Sequence, residues 1–577
     1  MCGIFALLND SNYKDPEAFV KAVEEGVARG PEQTRIDRYQ DRAFVFHRLA
    51  INGLDNGSMQ PIQINNVTLI CNGEIFNYKE LFRALDIIPC TQSDCEVIIH
   101  LYMRYGIERT LELLDGEFSF VLHDHNSETE DKIYYARDPF GVRPLYICHD
   151  PPTDVVGIAS ELKVLNHIAN GKMFIKQVEP GCYGTIVKRN NENATWYYDE
   201  TVTRYFRIPS ITTFVPDEKI EPEIYFNDIV NTLSDAVRKR VLTADRDVAC
   251  LLSGGLDSSL IAALACMHYG SLNTYSIGME GSEDLRNARL VADHIGSNHT
   301  EIILSEQEFF NAIPTVIKSI ESFDTTTVRA SVGNYLVAKY IREHSDDKVV
   351  LNGDGSDEVA GGYIYMLHAP SDIEFDTETR RLLSDIHYFD VLRSDRSVSS
   401  NGLEGRTPFL DKTFVSRYLQ IPAYVRNPRS KFNMNHPYWK SFAEDTTYFH
   451  DPNLTNTIAS RPEKLLMRAA FYKCMPDLLP PSVLWRGKEA FSDGVSGTGK
   501  SWFEIIQNRL NEQVVSFKQK PIMEGHMVPD TKEKMYYRSL FCDYFKLCDD
   551  IVPYYWMPKF VEAKDSSART LKHYTNR

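Results

Sequence analysis

The sequence predicts two domains of different class. An α+β domain rich in antiparallel sheet spans residues 1–208, a linker covers 209–224, and an α/β domain on a parallel sheet fills 225–577. Three observations predict this. Up to about residue 205, short apolar runs are divided by turn signals, as in antiparallel sheet. RIPSITTFVPDEKIEPE then interrupts the pattern with prolines and charges. Beyond it strands alternate with helices, which implies a parallel sheet.

In the first domain VTLICNGEIFNY, FSFVLHDHN, KIYYARDPFGVRPLYI and GCYGTIVKR read as strands, and EVIIHLYMRYGIERTLELL as one or two helices. In the second, NDIVNTLSDAVRKRVL is helical. DVACLLSGGLDSS is an apolar strand running into a Gly/Ser turn, followed by the helix LIAALACMHY. NTYSIGM is a strand, LRNARLVADHIG a helix, and KVVLNGDGSDE a strand entering a loop. Such sheets bind ligands at the carboxyl ends of their strands. The later part of the chain reads mainly as helix, and KDSSARTLKHYTNR as a loose tail.

Composition narrows the function. A chain of 577 residues with 43% hydrophobic and 25% charged residues has material for several packed cores. A net charge of −17 repels phosphate backbones and anionic lipid, and no Lys/Arg run offsets it, so no nucleic-acid or membrane partner is expected. Eleven scattered cysteines, with no CxxC, argue for a reducing compartment rather than a disulfide framework or zinc site. No segment approaches the ~20 apolar residues of a membrane span, and the chain reads as cytoplasmic.

Two stretches carry chemistry. The chain opens MCGIF. Trimming of a methionine before a small residue would leave Cys2 with both a thiol and a free α-amine, and an amine with a pKa of about 8 can serve as the base a nucleophile needs. The second stretch is SGGLDSS at 253–259, between a strand and a helix. Gly254 and Gly255 let backbone N–H groups approach an anion, Ser253, Ser258 and Ser259 add hydroxyls, and the helix dipole favours negative charge. Asp257 would repel phosphate by itself and makes sense as a magnesium ligand.

These motifs resemble known ones. SGGLDSS is similar to the pyrophosphate loop of ATP pyrophosphatases, and MCGIF to the start of class II glutamine amidotransferases. Together they resemble the glutamine-hydrolysing asparagine synthetases, nearly end to end. The likeness runs through RGPE, HRLAI, CNGEIFNY, SDCEVI, LDGEFSFVL, ARDPFGVRPLY and ASELK. It continues in TTTVRAS, NGDGSDEVAGGY, GLEGRTPFLDK and WRGKEAFSDG. The resemblance implies a four-layer αββα first domain of the N-terminal nucleophile hydrolase type and a second with an adenine-nucleotide α-hydrolase-like loop. It implies a ligase that makes asparagine from aspartate, glutamine and ATP with Mg2+, through β-aspartyl-AMP, with no organic prosthetic group. A homodimer is also implied.

The resemblance assigns residues that suit these tasks. Cys2 attacks the glutamine amide, with Asn72 and Gly73 as oxyanion donors. Arg48 suits the substrate α-carboxylate, Asp94 its α-ammonium, and Leu49, Ala50, Ile51, Asn52 and Glu74 complete the glutamine site. Leu251, Ile277, Gly278, Asn352 and Gly353 surround adenosine. Ser253, Gly254, Gly255, Asp257 and Ser258 hold pyrophosphate, with Asp257 and Asp357 on magnesium. Lys488 and Arg396 supply positive charge at the α-phosphorus. Thr326, Thr327 and Arg329 belong to aspartate and intermediate binding, and Asp354 to the attack of ammonia. Ammonia and the acyl adenylate both need a route shielded from water.

Two departures stand out. Relatives read HRGPD where this chain has ARGPE, and SGEGSDE where it has NGDGSDE, so Asp354 is one methylene shorter than the usual Glu. GVSGTGKS at 494–501 satisfies the Walker A pattern, but WRGKEAFSD before it is too polar for a buried strand, so Lys500 reads as a loop lysine. Rival readings are an amidotransferase adenylating another carboxylate, a glutaminase coupled to sugar-phosphate chemistry, and a non-catalytic relative. Cys2 speaks against the β-lactam-forming relatives of the first kind, SGGLDSS against the second, and Cys2, Asn72, Asp257, Asp357 and Lys488 together against the third.

Overall fold

The computed structural model describes the chain except residues 126–129, 189–194, 211, 218, 445–459, 498–499, 513–525, 547 and 571–577. Twelve strands precede residue 205 among the described residues: β1 (Gly3–Leu8), β2 (Gln33–Arg38), β3 (Arg42–Arg48), β4 (Ile62–Ile64), β5 (Val67–Ile75), β6 (Gly116–Asp124), β7 (Lys132–Arg137), β8 (Tyr146–Asp150), β9 (Val155–Ala159), β10 (Ile175–Gln177), β11 (Cys182–Lys188) and β12 (Trp196–Arg204). They form two six-stranded antiparallel sheets, ordered β10-β8-β9-β1-β3-β2 and β12-β11-β7-β6-β5-β4. Helices α1 (Pro16–Gly26) and α4 (Leu162–Ala169) cover the first sheet. Helices α2 (Tyr78–Leu85) and α3 (Glu96–Leu113) cover the second. This is the four-layer αββα order.

The side-chain period of two builds these layers. In β1, Ile4, Ala6 and Leu8 face the second sheet and pack with Ile70, Val121 and Ile133. Phe5 and Leu7 face the other way, toward Phe19 of α1. The stretch KIYYARDPFGVRPLYI is divided between the sheets, β7 in one and β8 in the other. Asp138 turns the chain between them, its carboxylate accepting from the backbone N–H groups of Phe140, Val142 and Arg143 at 3.1, 3.0 and 2.8 Å. Helix α3 bends at Gly106, where φ is 77°, so the sequence's choice between one helix and two resolves as two segments across a kink.

The last antiparallel strand ends at Arg204, and the next long helix, α5 (Phe226–Leu242), opens the second half. There β13 (Val248–Leu251), β14 (Asn273–Gly278), β15 (Asn298–Ile303), β16 (Val349–Leu351) and β17 (Glu404–Arg406) form a parallel sheet ordered β15-β14-β13-β16-β17. Helices α6 (Leu256–Tyr269), α7 (Glu283–Ile295), α8 (Glu306–Ile320) and α9 (Thr325–His344) connect its first four strands. The expected loose tail is corrected over its described part. Asp565 pairs with Arg329 at 2.6 Å, Ser567 is buried and donates to Asp493 at 2.9 Å, and Arg569 donates to Glu489 at 2.6 Å. A buried arginine needs carboxylate partners, and the C-terminal segment supplies one of them. Residues 571–577 lie outside the described residues.

A band of buried ion pairs joins the two halves. Arg29 meets Asp395 at 2.8 Å, Arg143 meets Glu117 at 3.1 Å and Asp395 at 3.4 Å, and Arg240 meets Glu117 at 3.0 Å and Asp411 at 2.9 Å. All three arginines are at most 2% exposed.

Candidate active sites

The first site forms where β1 begins. Cys2 directly precedes that central strand, and the β1–β3 register sets Gly3 opposite His47, next to Arg48. The strand therefore delivers Cys2 beside the HRLAI segment. The Cys2 thiol donates to the Leu49 carbonyl at 3.5 Å. Two donors fix the Cys2 backbone carbonyl: Arg29 Nε at 3.0 Å and, with the amide oriented to suit its neighbours, Asn72 Nδ2 at 2.8 Å. Burial pushes the Cys2 thiol up to about 12 and the Met1 amine down to about 6. Met1 is buried, its amine donating to the Leu403 carbonyl at 3.2 Å.

The expected glutamine-binding residues gather here. Arg48 is buried and donates to the Gly53 carbonyl, and among the described residues it has no carboxylate partner. That leaves its charge for an incoming anion. The Asp94 carboxyl is pushed up to about 6 by burial, against the pull of the Ile75 N–H at 2.7 Å. Burial and the nearby Asp94 charge raise Glu74 well above the carboxylate range; it accepts from Asn52 and lies 3.3 Å from Arg406. Glu32 gains a local purpose. It accepts from the Ala50 N–H at 2.9 Å and from Arg246 at 3.1 Å, fixing the Leu49–Asn52 segment against the second half. Ile51 is buried among residues of both halves.

The second site is a cleft of about 1350 Å³, counting its open mouth, at the carboxyl ends of β13, β14 and β16. Leu251, Ser253, Gly255, Asp257, Ser258, Ile277, Thr326, Asn352, Gly353, Asp354, Asp357 and Lys488 line it. Gly255 caps α6 without a side-chain bond, leaving the first amides of that helix for a bound anion. Two glycines have no substitute. Gly254 sits at φ 69°, and a Cβ there would lie 2.4 Å from the Ala288 nitrogen. A Cβ on Gly353 would lie 2.7 Å from the Ser258 nitrogen. Gly254 and Gly278 flank the cleft without lining it, and the Gly254 carbonyl accepts from Arg486 at 3.0 Å.

At the floor, two aspartates and two lysines form a square. Lys464 Nζ is 2.6 Å from both Asp257 Oδ1 and Asp357 Oδ1. Lys488 Nζ is 2.5 Å from Asp357 and 3.7 Å from Asp257. Burial disfavours the Asp357 charge, yet Lys464 and Lys488 hold it well below the carboxylate range. The Lys464 contact to Asp357 Oδ1 lacks hydrogen-bond angles, so that buried oxygen keeps its lone pairs. An all-oxygen carboxylate pair with such an atom fits a divalent hard cation, and Asp257 and Asp357 are the residues that would hold Mg2+. Lys464 carried no signal in the sequence: a lone lysine ahead of an apolar helix resembles any helix-end charge.

Asp354 also faces the cleft. Burial lifts its carboxyl to about 6 although Arg393 lies 3.0 Å away. Arg393 is the cleft cation that Arg396 was expected to be. Arg396, one turn on in the helix Asp390–Ser399, points into the join between the halves, donating to Glu321 at 2.9 Å and Tyr146 at 2.6 Å. The assignment of Arg396 to the α-phosphorus is thereby corrected: its charge is spent on the buried Glu321, which it holds together with Lys163 at 3.7 Å. Thr326, Thr327 and Arg329, on the first turns of α9, line an adjoining side pocket with Arg393. Thr326 Oγ1 is buried with no hydrogen bond. Thr327 Oγ1 donates to the helix cap Asp324 at 2.8 Å. Arg329 is bidentate to both Glu533 and Asp565, so its fork already holds carboxylates of this chain. The Walker-like stretch follows the four-residue helix Phe491–Gly494 rather than a strand, and Thr498 and Gly499 lie outside the described residues.

Comparison with known proteins agrees with this geometry. The glutamine amidotransferase domain model matches residues 1–197, and the asparagine synthase model matches 228–380 and 369–542. The chain is 39% identical over 600 residues to the glutamine-hydrolysing asparagine synthetase of Gallus gallus, covering 100% of this chain and 99% of that one. It is 38% identical over 599 residues to the Homo sapiens enzyme of the same name, with the same coverage. With both halves matched by these models and relatives 38–39% identical along the whole chain, the chain belongs to the glutamine-hydrolysing asparagine synthetase family.

Proposed function

We propose that this chain makes asparagine from aspartate and ATP, with ammonia released from glutamine at Cys2. The observation that carries the reading is the Asp257–Asp357–Lys464–Lys488 square beneath the SGGLDSS loop, in one chain with Cys2. In the first domain, 1–208, removal of Met1 frees the Cys2 amine to take the thiol proton. The thiolate attacks the glutamine amide carbon, ammonia leaves, and water releases glutamate from the thioester. Asn72 and Gly73 donate to the oxyanion. Arg48 and Asp94 hold the substrate's α-carboxylate and α-ammonium.

In the second domain, 225–577, beyond a linker at 209–224, the aspartate β-carboxylate attacks the α-phosphorus of ATP and pyrophosphate leaves. Leu251, Ile277, Gly278, Asn352 and Gly353 take the adenosine end. Ser253, Gly254, Gly255 and Ser258 take the pyrophosphate end. Mg2+ on Asp257 and Asp357 would neutralise phosphate charge. Lys488, with Arg393, faces the α-phosphorus. Thr326, Thr327 and Arg329 shape the aspartate side. Ammonia then displaces AMP, and Asp354 takes the proton it sheds. A cytoplasmic setting is supported by the eleven free cysteines, and a homodimer by the family alone.

Product analysis tests the reading. With glutamine, ATP and magnesium, asparagine should appear with equal AMP and pyrophosphate only when aspartate is added. Glutamate without AMP under all conditions would leave the glutaminase standing and overturn the acceptor.

A further inference from the structure

The hairpin β6–β7 brings two histidines and an aspartate together far along the chain from either set of catalytic residues. His123 ends the buried part of β6, His125 follows two residues on, and Asp131 directly precedes β7. The spacing of two puts both histidines on one face of the strand. The register pairs His123 with Ile133 and Asp124 with Lys132, which carries Asp131 across from His125. His125 Nδ1 is 3.1 Å from Asp131 Oδ2, and His123 Nε2 is 4.0 Å from the same oxygen. One ligand atom from each residue lies within 4.8 Å of the other two.

Hydrogen bonding leaves this cluster incomplete. His123 is 1% exposed, yet its Nε2 has no hydrogen-bond partner. A buried ring nitrogen without a hydrogen bond can offer its lone pair to a cation. Edge-on packing against Trp196 at 5.5 Å and Phe44 at 6.3 Å fixes the ring direction. The neighbouring cations are engaged elsewhere: Arg42 and Lys188 bind Asp41 at 2.8 and 2.9 Å. The ligand backbones are also fixed, His125 N–H donating to the Asn66 carbonyl at 2.8 Å and the Asp131 carbonyl accepting from the Lys188 N–H at 3.0 Å.

We infer that His123, His125 and Asp131 form a binding site for one divalent transition ion of the zinc class. Two imidazole nitrogens and a carboxylate oxygen are the donor set such ions take, at about 2.0–2.2 Å each, so the three atoms need close in by only a fraction of their present separation. The exposed side of His125 leaves room for water as a fourth ligand. With no nucleophile or phosphate loop beside it, the ion would clip the two strands together rather than react.

Titration of the full-length, chelator-treated protein with Co2+, followed by absorption and by competition with Zn2+, tests this. The wild type should bind one Co2+ with the intense visible bands of a low-coordinate site and no thiolate charge-transfer band. The exposed His125→Ala and the isosteric Asp131→Asn should each weaken that site at least tenfold while circular dichroism stays unchanged. Zn2+ should raise the wild-type unfolding temperature and leave both variants unmoved. Absence of binding, a thiolate band, or equal affinity in wild type and variants would overturn the assignment.

Discussion

At the scale of single residues, burial sets the working charges. Asp94 titrates near 6 because burial outweighs the Ile75 N–H that favours its anion. It is charged above that pH and neutral below, and only the anion attracts an α-ammonium. The KM for glutamine should therefore climb about tenfold per unit as pH falls below 6. Ammonia-driven synthesis should not follow that rise, and an identical profile in both assays would exclude Asp94. Lys464 is 1% exposed and touches both floor carboxylates. Lys464→Met should cut ATP-dependent AMP release by about 10²–10³-fold, as loss of a preorganised charge does, while glutaminase activity stays within about twofold. Cys2, Asn72 and the SGGLDSS loop were legible in the sequence because their chemistry needs fixed neighbours in the chain. Lys464, Arg393 and Arg29 were not assigned roles, since their partners lie 207, 39 and 366 residues away.

At the scale of elements, strand and helix periods were readable and their partners were not. The alternation of β13, α6, β14 and α7 announced a parallel sheet, whereas the split of β7 and β8 between two sheets turned on Asp138 and Arg137, whose side chains bind the backbone of the turn. The C-terminal segment shows the same limit. Its polar composition suggests a free end, but Arg329, Asp493 and Glu489 hold it from distant positions. Glu489 and Asp493 flank the stretch that follows Lys488, so the segment steadies the cleft wall. A chain ending at Ala563 should lose at least tenfold in ammonia-dependent asparagine synthesis, since small misplacements of a catalytic group are costly. Its glutaminase rate should be unchanged. Full synthetase activity in the truncated chain would show the contacts to be idle.

At the scale of the whole molecule, the halves are joined by charge as much as by apolar packing. Asp395 is shared by Arg29 and Arg143. Asp395→Ala would remove the carboxylate they share, leaving Arg143 only Glu117 and Arg29 only the longer contact to Glu161, and should cost about 3 kcal/mol, read as a lower midpoint in chemical denaturation. Asp395→Asn, which keeps the shape and some hydrogen bonds, should cost less. The helix Asp390–Ser399 carries Arg393 and this aspartate two residues apart, on opposite faces. Arg393 holds Asp354 at the adenylation cleft, and Asp395 holds Arg29, whose Nε holds the Cys2 carbonyl. A ligand that shifts this helix from one face must do work at the other, and such work is symmetric. Whatever factor ATP and aspartate impose on glutamine affinity, glutamine must return on theirs. Paired calorimetric titrations of a Cys2→Ala chain would give both factors, and unity in each would show the helix to be a rigid strut.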